Sequence, residues 1–194
     1  MNKTFATYGY GMHLPLLVAG IILATAALAP AAGAAEPAPS LDAITLGDSV
    51  QLGAKWVLLK DGVDIVDAKV SRQASTGPGL LLKRGKKLPT NVVIHLGTNG
   101  SYRLEDCKDM VKIAGPQRRV FMLTISVPRL WEKVNNDTIR RCARAFPVGR
   151  VTIIDWKAAT EAHPSWLYSD HTHLPPSGAK GYARLIVQAI KAPE

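Results

Sequence analysis

Two short motifs at opposite ends of the chain carry the residue types needed for a serine nucleophile. Gly47-Asp48-Ser49-Val50 follows directly on the apolar run Ala43-Ile44-Thr45-Leu46, and Asp170-His171-Thr172-His173 lies near the carboxyl end. A hydroxyl is a poor nucleophile at its own pKa. It needs an adjacent base, and the base needs a third group to hold its ring. Ser49, His173 and Asp170 fill those three roles, and the spacing of three lets both side chains of one tight loop point to the same place. A third motif lies between them, where Val92-Val93-Ile94-His95-Leu96 runs into Gly97-Thr98-Asn99-Gly100. The Asn99 amide is a candidate donor to the oxyanion of an acyl-transfer intermediate, with glycines on either side letting the loop approach closely.

Each motif also has a plainer interpretation. Asp48-Ser49 is a favoured helix N-cap pair, and Asn99-Gly100 is a common turn pair. His171 is a rival imidazole to His173. His171 and His173 together offer two metal ligands, which without a third or fourth are insufficient, so neither metal nor cofactor is expected. His95 lies inside an apolar run, as a core or supporting histidine would. Trp131, Trp166 and Tyr168 fall in loops and are candidates for a sugar-binding wall, although aromatic residues more often serve a core.

What raises these motifs above chance is the set of elements that must position them. Val/Ile/Leu-rich runs at Ala43–Leu46, 63–66, Val92–Leu96, Val120–Ile125 and Val151–Ile154 alternate with helical stretches at Val50–Lys60 and Asn135–Phe146. A last helix opens at Pro175-Pro176-Ser177 and repeats Tyr182, Leu185, Ile186 and Ala189 at helical spacing. Continuously apolar strands separated by helices predict a parallel sheet covered on both faces. The expectation is one doubly wound three-layer α/β/α sandwich with a five-stranded parallel sheet. Sites in such sheets gather at the carboxyl ends of the strands. Ser49, Ser71, Asn99 and the 170–173 loop all fall on that rim.

The 194 residues suffice for one domain with a full core, and 47% hydrophobic and 20% charged content fit a globular chain. The start differs from the rest. Lys3, an apolar stretch from Leu14 to Leu28 and the small-residue run 29–35 have the three-part layout of a secretory signal, with Ala32-Gly33-Ala34 as the exit triplet. The expected organisation is a signal peptide over 1–34, a linker over 35–41 and a catalytic domain over 42–194. The alternative is a retained anchor, since the 22 uncharged residues from Leu14 to Ala35 match the ~20 that span a bilayer. Either way the catalytic part is expected outside the cytoplasm. In an oxidising compartment Cys107 and Cys142 are expected to form a structural disulfide, the alternative being two buried thiols in separate helices. Loss of 1–34 lowers the formal charge only from +9 to +8. That excess suits an anionic surface, or serves solubility alone. It does not suggest nucleic acid, because the charges are scattered and no recognition motif accompanies them.

These blocks resemble the SGNH (GDSL-type) hydrolase family, in order and approximate separation, from about residue 42 to 190. More narrowly, Leu46–Val50, Asp67-Ala68-Lys69-Val70-Ser71-Arg72-Gln73, His95–Gly100 and Val127-Pro128-Arg129-x-Trp131 resemble the extracytoplasmic domain of acyltransferases that O-acetylate peptidoglycan and other surface glycans. The resemblance implies a metal-free Ser49–His173–Asp170 triad, an acyl-enzyme on Ser49, and an oxyanion hole built from Ser49, Ser71 and Asn99. Two positions depart from the general pattern: Ser71 stands where many members have glycine, and Gly100 where typical esterases have aspartate. One apolar segment cannot supply the membrane bundle of those acyltransferases. An acyl donor would then come from a separate membrane partner, or the enzyme is an esterase acting on acylated carbohydrate. Rival readings are a lysophospholipase or thioesterase, favoured by a wide apolar cleft at Ser49, and a catalytically decayed glycan-binding module.

Overall fold

A computed structural model describes residues 38–193 continuously, together with Met1, Lys3, Thr4, Gly9 and Gly11. The chain divides into two compact units, Met1–Ala35 and Glu36–Glu194. The leader expected over 1–34 and the first residues of the 35–41 linker lie largely outside the described residues. Among the described residues no helix is long and apolar enough to cross a membrane.

The second unit is built on five strands, β1 (Ala43–Gly47), β2 (Ile65–Ala68), β3 (Asn91–His95), β4 (Arg119–Leu123) and β5 (Val151–Ile154). All pair in parallel, in the order β2-β1-β3-β4-β5. Seven helices cover them: α1 (Ser49–Gly53), α2 (Lys55–Lys60), α3 (Gly77–Arg84), α4 (Leu104–Ala114), α5 (Glu132–Arg144), α6 (Trp156–Ala162) and α7 (Pro176–Lys191). The expected doubly wound three-layer sandwich is the observed one. Strand order reverses between β1 and β3, so the crevice at their carboxyl ends is where a ligand site belongs. Gly47 pairs with His95 at that end, which puts the turns leading to Ser49 and Asn99 side by side.

Because side chains alternate across a strand, each strand feeds two cores. Ile44, Leu46, Val92, Ile94, Val120 and Met122 pack on one face with Leu81 of α3, Met110 and Val111 of α4 and Ile139 of α5. Ala43, Val93, Phe121 and Leu123 pack on the other with Val50 of α1, Leu58 of α2, Trp156 of α6 and Tyr182 and Ile186 of α7. Cys107 of α4 and Cys142 of α5 form a disulfide within the first of these layers, with a Cα–Cα separation of 6.2 Å.

Local differences from the sequence-based expectation have local causes. The helix expected over Val50–Lys60 is two helices, because Gly53 is a weak helix former and Ala54 closes the first turn with its N–H on Gln51 O. β2 begins at Ile65 and not at Val63, since Val63 N–H bonds back to Leu58 O and its side chain is buried in the turn. α3, α4 and α6 were not anticipated. Of these α4 has the clearest periodicity in retrospect, with Cys107, Met110, Val111 and Ala114 all buried.

Candidate active site

Asp48 caps α1, its Oδ1 accepting the Val50 N–H at 3.0 Å. The cap leaves Ser49 as the first helical residue, where the backbone N–H has no intrahelical acceptor and the positive end of the helix favours anions. The cap is thus Asp48, and the Ser49 hydroxyl takes no part in it. The competing interpretations of Asp48-Ser49 describe one turn.

The 170–173 loop is folded by Asp170 itself. Its Oδ1 accepts both the Thr172 and the His173 N–H at 2.9 Å, and its Oδ2 meets His173 Nδ1 at 2.7 Å. His173 Nε2 lies 3.0 Å from Ser49 Oγ. With the carboxylate as acceptor, Nδ1 carries the proton and Nε2 is free to accept from the hydroxyl. Partial burial opposes ionisation of Asp170, but the bonds from His173 and Thr172 outweigh it and hold the carboxyl down to about 2. His171 occupies the left-handed region at φ 52°, its N–H on Tyr168 O, and this bend brings Thr172 and His173 back over Asp170.

Asn99 is held from two sides. Its Nδ2 lies 3.4 Å from Arg72 O, and its own carbonyl accepts from Gln73 Nε2 at 3.0 Å. Its second amide hydrogen remains available to the cleft. Arg72 is itself anchored on Gly47 O at 3.1 Å and on Asp67, which Arg84 also binds. Partial burial works against the Asp67 carboxylate, but the two guanidiniums prevail and lower its pKa. Ser71, beside Arg72, adopts φ 57°, a conformation open to glycine at no cost and unusual for serine. No described residue accepts a hydrogen bond from the Ser71 N–H.

A cleft of about 520 Å³ opens over Ser49, lined by Thr98, Asn99, Val127, Pro128, Arg129, Trp131, Asp170, Thr172 and His173. Trp131 belongs to this wall, its Nε1 donating to Thr98 O at 3.2 Å. Trp166 does not. It stacks on Trp156 at 6.0 Å between centroids and lies under α7, where Gly178 and Gly181 leave room for its backbone and ring. The expectation of a sugar wall at Trp166 is therefore corrected for this cleft, because the short helix at Pro164–Trp166 lays that half-buried ring between Trp156 and α7 and away from Ser49. His95 is fully buried, with Nδ1 2.8 Å from Tyr182 Oη, and burial lowers its pKa in spite of the nearby Asp48 carboxylate. Among the described residues no group of three or more His, Cys, Asp or Glu side chains is placed to hold a metal ion.

Two side chains that frame the site went unnoticed in the sequence. Asn135, near the start of α5, donates to Gly97 O at 2.9 Å and Gly100 O at 2.7 Å and accepts the Tyr102 N–H at 3.0 Å. It clamps the Asn99 turn, in which Gly97 stands at φ 110°. Asn136 does the same for the turn after β4, pairing with both polar backbone groups of Ile125. The available signal is a pair of asparagines, weak helix formers, at the start of a helical stretch.

No protein-family model matches the chain. YrhL of Bacillus subtilis, named provisionally as a peptidoglycan O-acetyltransferase, is 31% identical over 78% of this chain. The chain spans about a quarter of the length of the curated relatives it matches. Among solved structures, the carboxyl-terminal catalytic domain of peptidoglycan O-acetyltransferase A from Streptococcus pneumoniae, carrying a methylsulfonyl adduct, is 25% identical with a TM-score of 0.66. That match covers 79% of this chain and 93% of the domain. The lipase/acylhydrolase of Enterococcus faecalis shares the fold, with a TM-score of 0.62 at 20% identity over 77% of this chain and 94% of that one.

Proposed function

We propose that the chain is an SGNH (GDSL-type) hydrolase, and from that premise that it is an exported serine enzyme that moves O-acetyl groups on cell-envelope carbohydrate through an acyl-enzyme on Ser49. The observation that carries the reading is the line of bonds from Ser49 Oγ to His173 Nε2 at 3.0 Å and from His173 Nδ1 to Asp170 Oδ2 at 2.7 Å, opening on the cleft that Asn99 and Trp131 also line. The similarity to peptidoglycan O-acetyltransferases supports the choice of acetyl group and glycan.

The chemistry follows from the geometry. As Ser49 Oγ attacks the ester carbonyl, its proton passes to His173 Nε2, and Asp170 stabilises the imidazolium through Nδ1–H. The carbonyl oxygen becomes an oxyanion that meets the Ser49 N–H at the amino end of α1, the Asn99 side-chain amide and the Ser71 N–H. Collapse of the intermediate expels the alcohol, which takes the proton from His173. Water or a sugar hydroxyl, deprotonated by the same imidazole, then releases the acetyl group. Residues 1–34 act in this reading as the export signal or anchor, 35–41 as the linker and 42–194 as the catalytic domain outside the cytoplasm. Transfer would draw on an acyl donor in a separate membrane protein.

The experiment is incubation of the purified protein with a chromogenic acetyl ester, with and without a chito-oligosaccharide acceptor. Ester turnover that Ser49→Ala abolishes is the expected result, and acetylated sugar would mark transfer over hydrolysis. Turnover untouched by Ser49→Ala would refute the reading.

A further inference from the structure

A second cavity, about 470 Å³, lies beside the Ser49 cleft, and Val127, Pro128 and Arg129 line both. Each is within the range of small-ligand pockets. The two histidines of the triad loop part here: His173 lines the cleft over Ser49, while His171 lines the second cavity. One strained turn thus serves both spaces. Left-handed backbone at a non-glycine residue persists where the surroundings hold it, and it gathers at functional sites.

Most polar groups around the second cavity already have partners. Lys157 is bridged by Glu132 at 3.0 Å and Glu161 at 3.5 Å, and Glu132 also accepts the Val127 N–H at 2.6 Å. Thr160 Oγ1 donates to Ser126 Oγ at 2.9 Å. Arg129 is different. It is exposed at the junction of the two cavities, and no described side chain pairs with its guanidinium. Tyr168, 52% exposed, adds a ring with an apolar face and a polar tip.

Resting on the reading of Ser49 as the nucleophile toward glycan esters, we propose that the second cavity is a subsite for a carboxylate-bearing sugar chain, with Arg129 recognising the carboxylate and Tyr168 stacking on a neighbouring ring. A guanidinium presents a fork of donors matched to a carboxylate, and a free one has its full bonding capacity to offer. A sugar ring has a C–H face that packs on an aromatic ring and hydroxyls that suit the polar rim.

The test is calorimetric binding to the full chain carrying Ser49→Ala, which cannot turn its ligand over. Three probes are compared: a chito-oligosaccharide without carboxylates, a peptidoglycan disaccharide stripped of peptide, and the same disaccharide with its peptide. At least one carboxylate-bearing probe should bind about tenfold or more tightly than the chito-oligosaccharide. Preference for the stripped disaccharide places the recognised carboxylate on the sugar, and binding only with peptide attached places it on the peptide. Arg129→Ala should erase the advantage and Arg129→Lys should restore part of it. Lys86→Ala, which removes a cation from the turn before β3, should leave it intact, separating local recognition from the general positive charge. Equal affinity for all three probes, or an advantage that survives Arg129→Ala, overturns the subsite. Binding does not require Ser49 chemistry, so ester turnover without charge-dependent binding refutes only the subsite. Arg129-dependent binding without turnover refutes only the enzyme reading.

Discussion

Ser49 has one base within hydrogen-bond reach among the described residues, and everything at the residue scale follows from that. Ser49→Ala should abolish acetyl-ester turnover without loss of folded structure by circular dichroism. His173→Ala should be nearly as damaging, and Asp170→Asn severe but less complete, because it spoils the tautomer without removing the base. Asn99→Ala should lower kcat by ~10²-fold or more with little change in KM, as for a donor used mainly in the transition state. Asp170 also makes a prediction about pH. Its folded pKa of about 2 lies below the ordinary carboxyl value, so its bonds support the loop in full above about pH 4 and are lost as pH falls through about 2. Carboxyl-carbon NMR should find it titrating there. In His173→Ala the titration should move upward, because the ring's bond and charge are gone while the backbone N–H bonds of residues 172 and 173 remain.

At the scale of elements, the site depends on clamps that join residues far apart in sequence. Asn135 reaches back 38 residues to Gly97 and 35 to Gly100. Asn135→Ala would leave two carbonyls and the Tyr102 N–H without their partner, at about 1–3 kcal/mol, and should lower kcat as the Asn99 turn loosens. Urea denaturation and ester kinetics on the same variant would check both effects. Gly178 is a similar case on the other side of the site. A methyl group there would meet the Trp166 backbone at 1.9 Å, so Gly178→Ala should lower Tm by several degrees despite the better helix propensity of alanine. These contacts explain what could and could not be read in the sequence. The Ser49, Asn99 and 170–173 motifs are local, and the strands around them announce themselves by composition. Asn135 and Asn136 carry no local signature, since their partners are backbone groups that only the fold brings near. Trp166 stays out of the cleft for a related reason, because its half-buried seat depends on two glycines of α7 against which it packs. The break at Ala54 reflects a short-range preference that the apolar pattern of 50–60 concealed.

For the molecule as a whole, the disulfide joins α4 to α5 in the helical layer opposite α1 and α7. It spans 35 residues, which in the loop-entropy model corresponds to about 3–4 kcal/mol of stability. Replacing Cys107 and Cys142 together by alanine should cost about that much in urea denaturation. Turnover at room temperature should be largely retained, because the triad draws on the other layer and on the crevice between β1 and β3. Both sulfurs are completely buried. Soluble thiols and alkylating reagents reach such a pair only when the chain opens, so its oxidation state is set as the protein folds and then sealed. Each molecule therefore keeps a memory of the compartment in which it matured. Alkylation after denaturation, applied to protein from separate cell fractions, would read that memory: unlabelled for chains that folded beyond the membrane, doubly labelled for chains that never left.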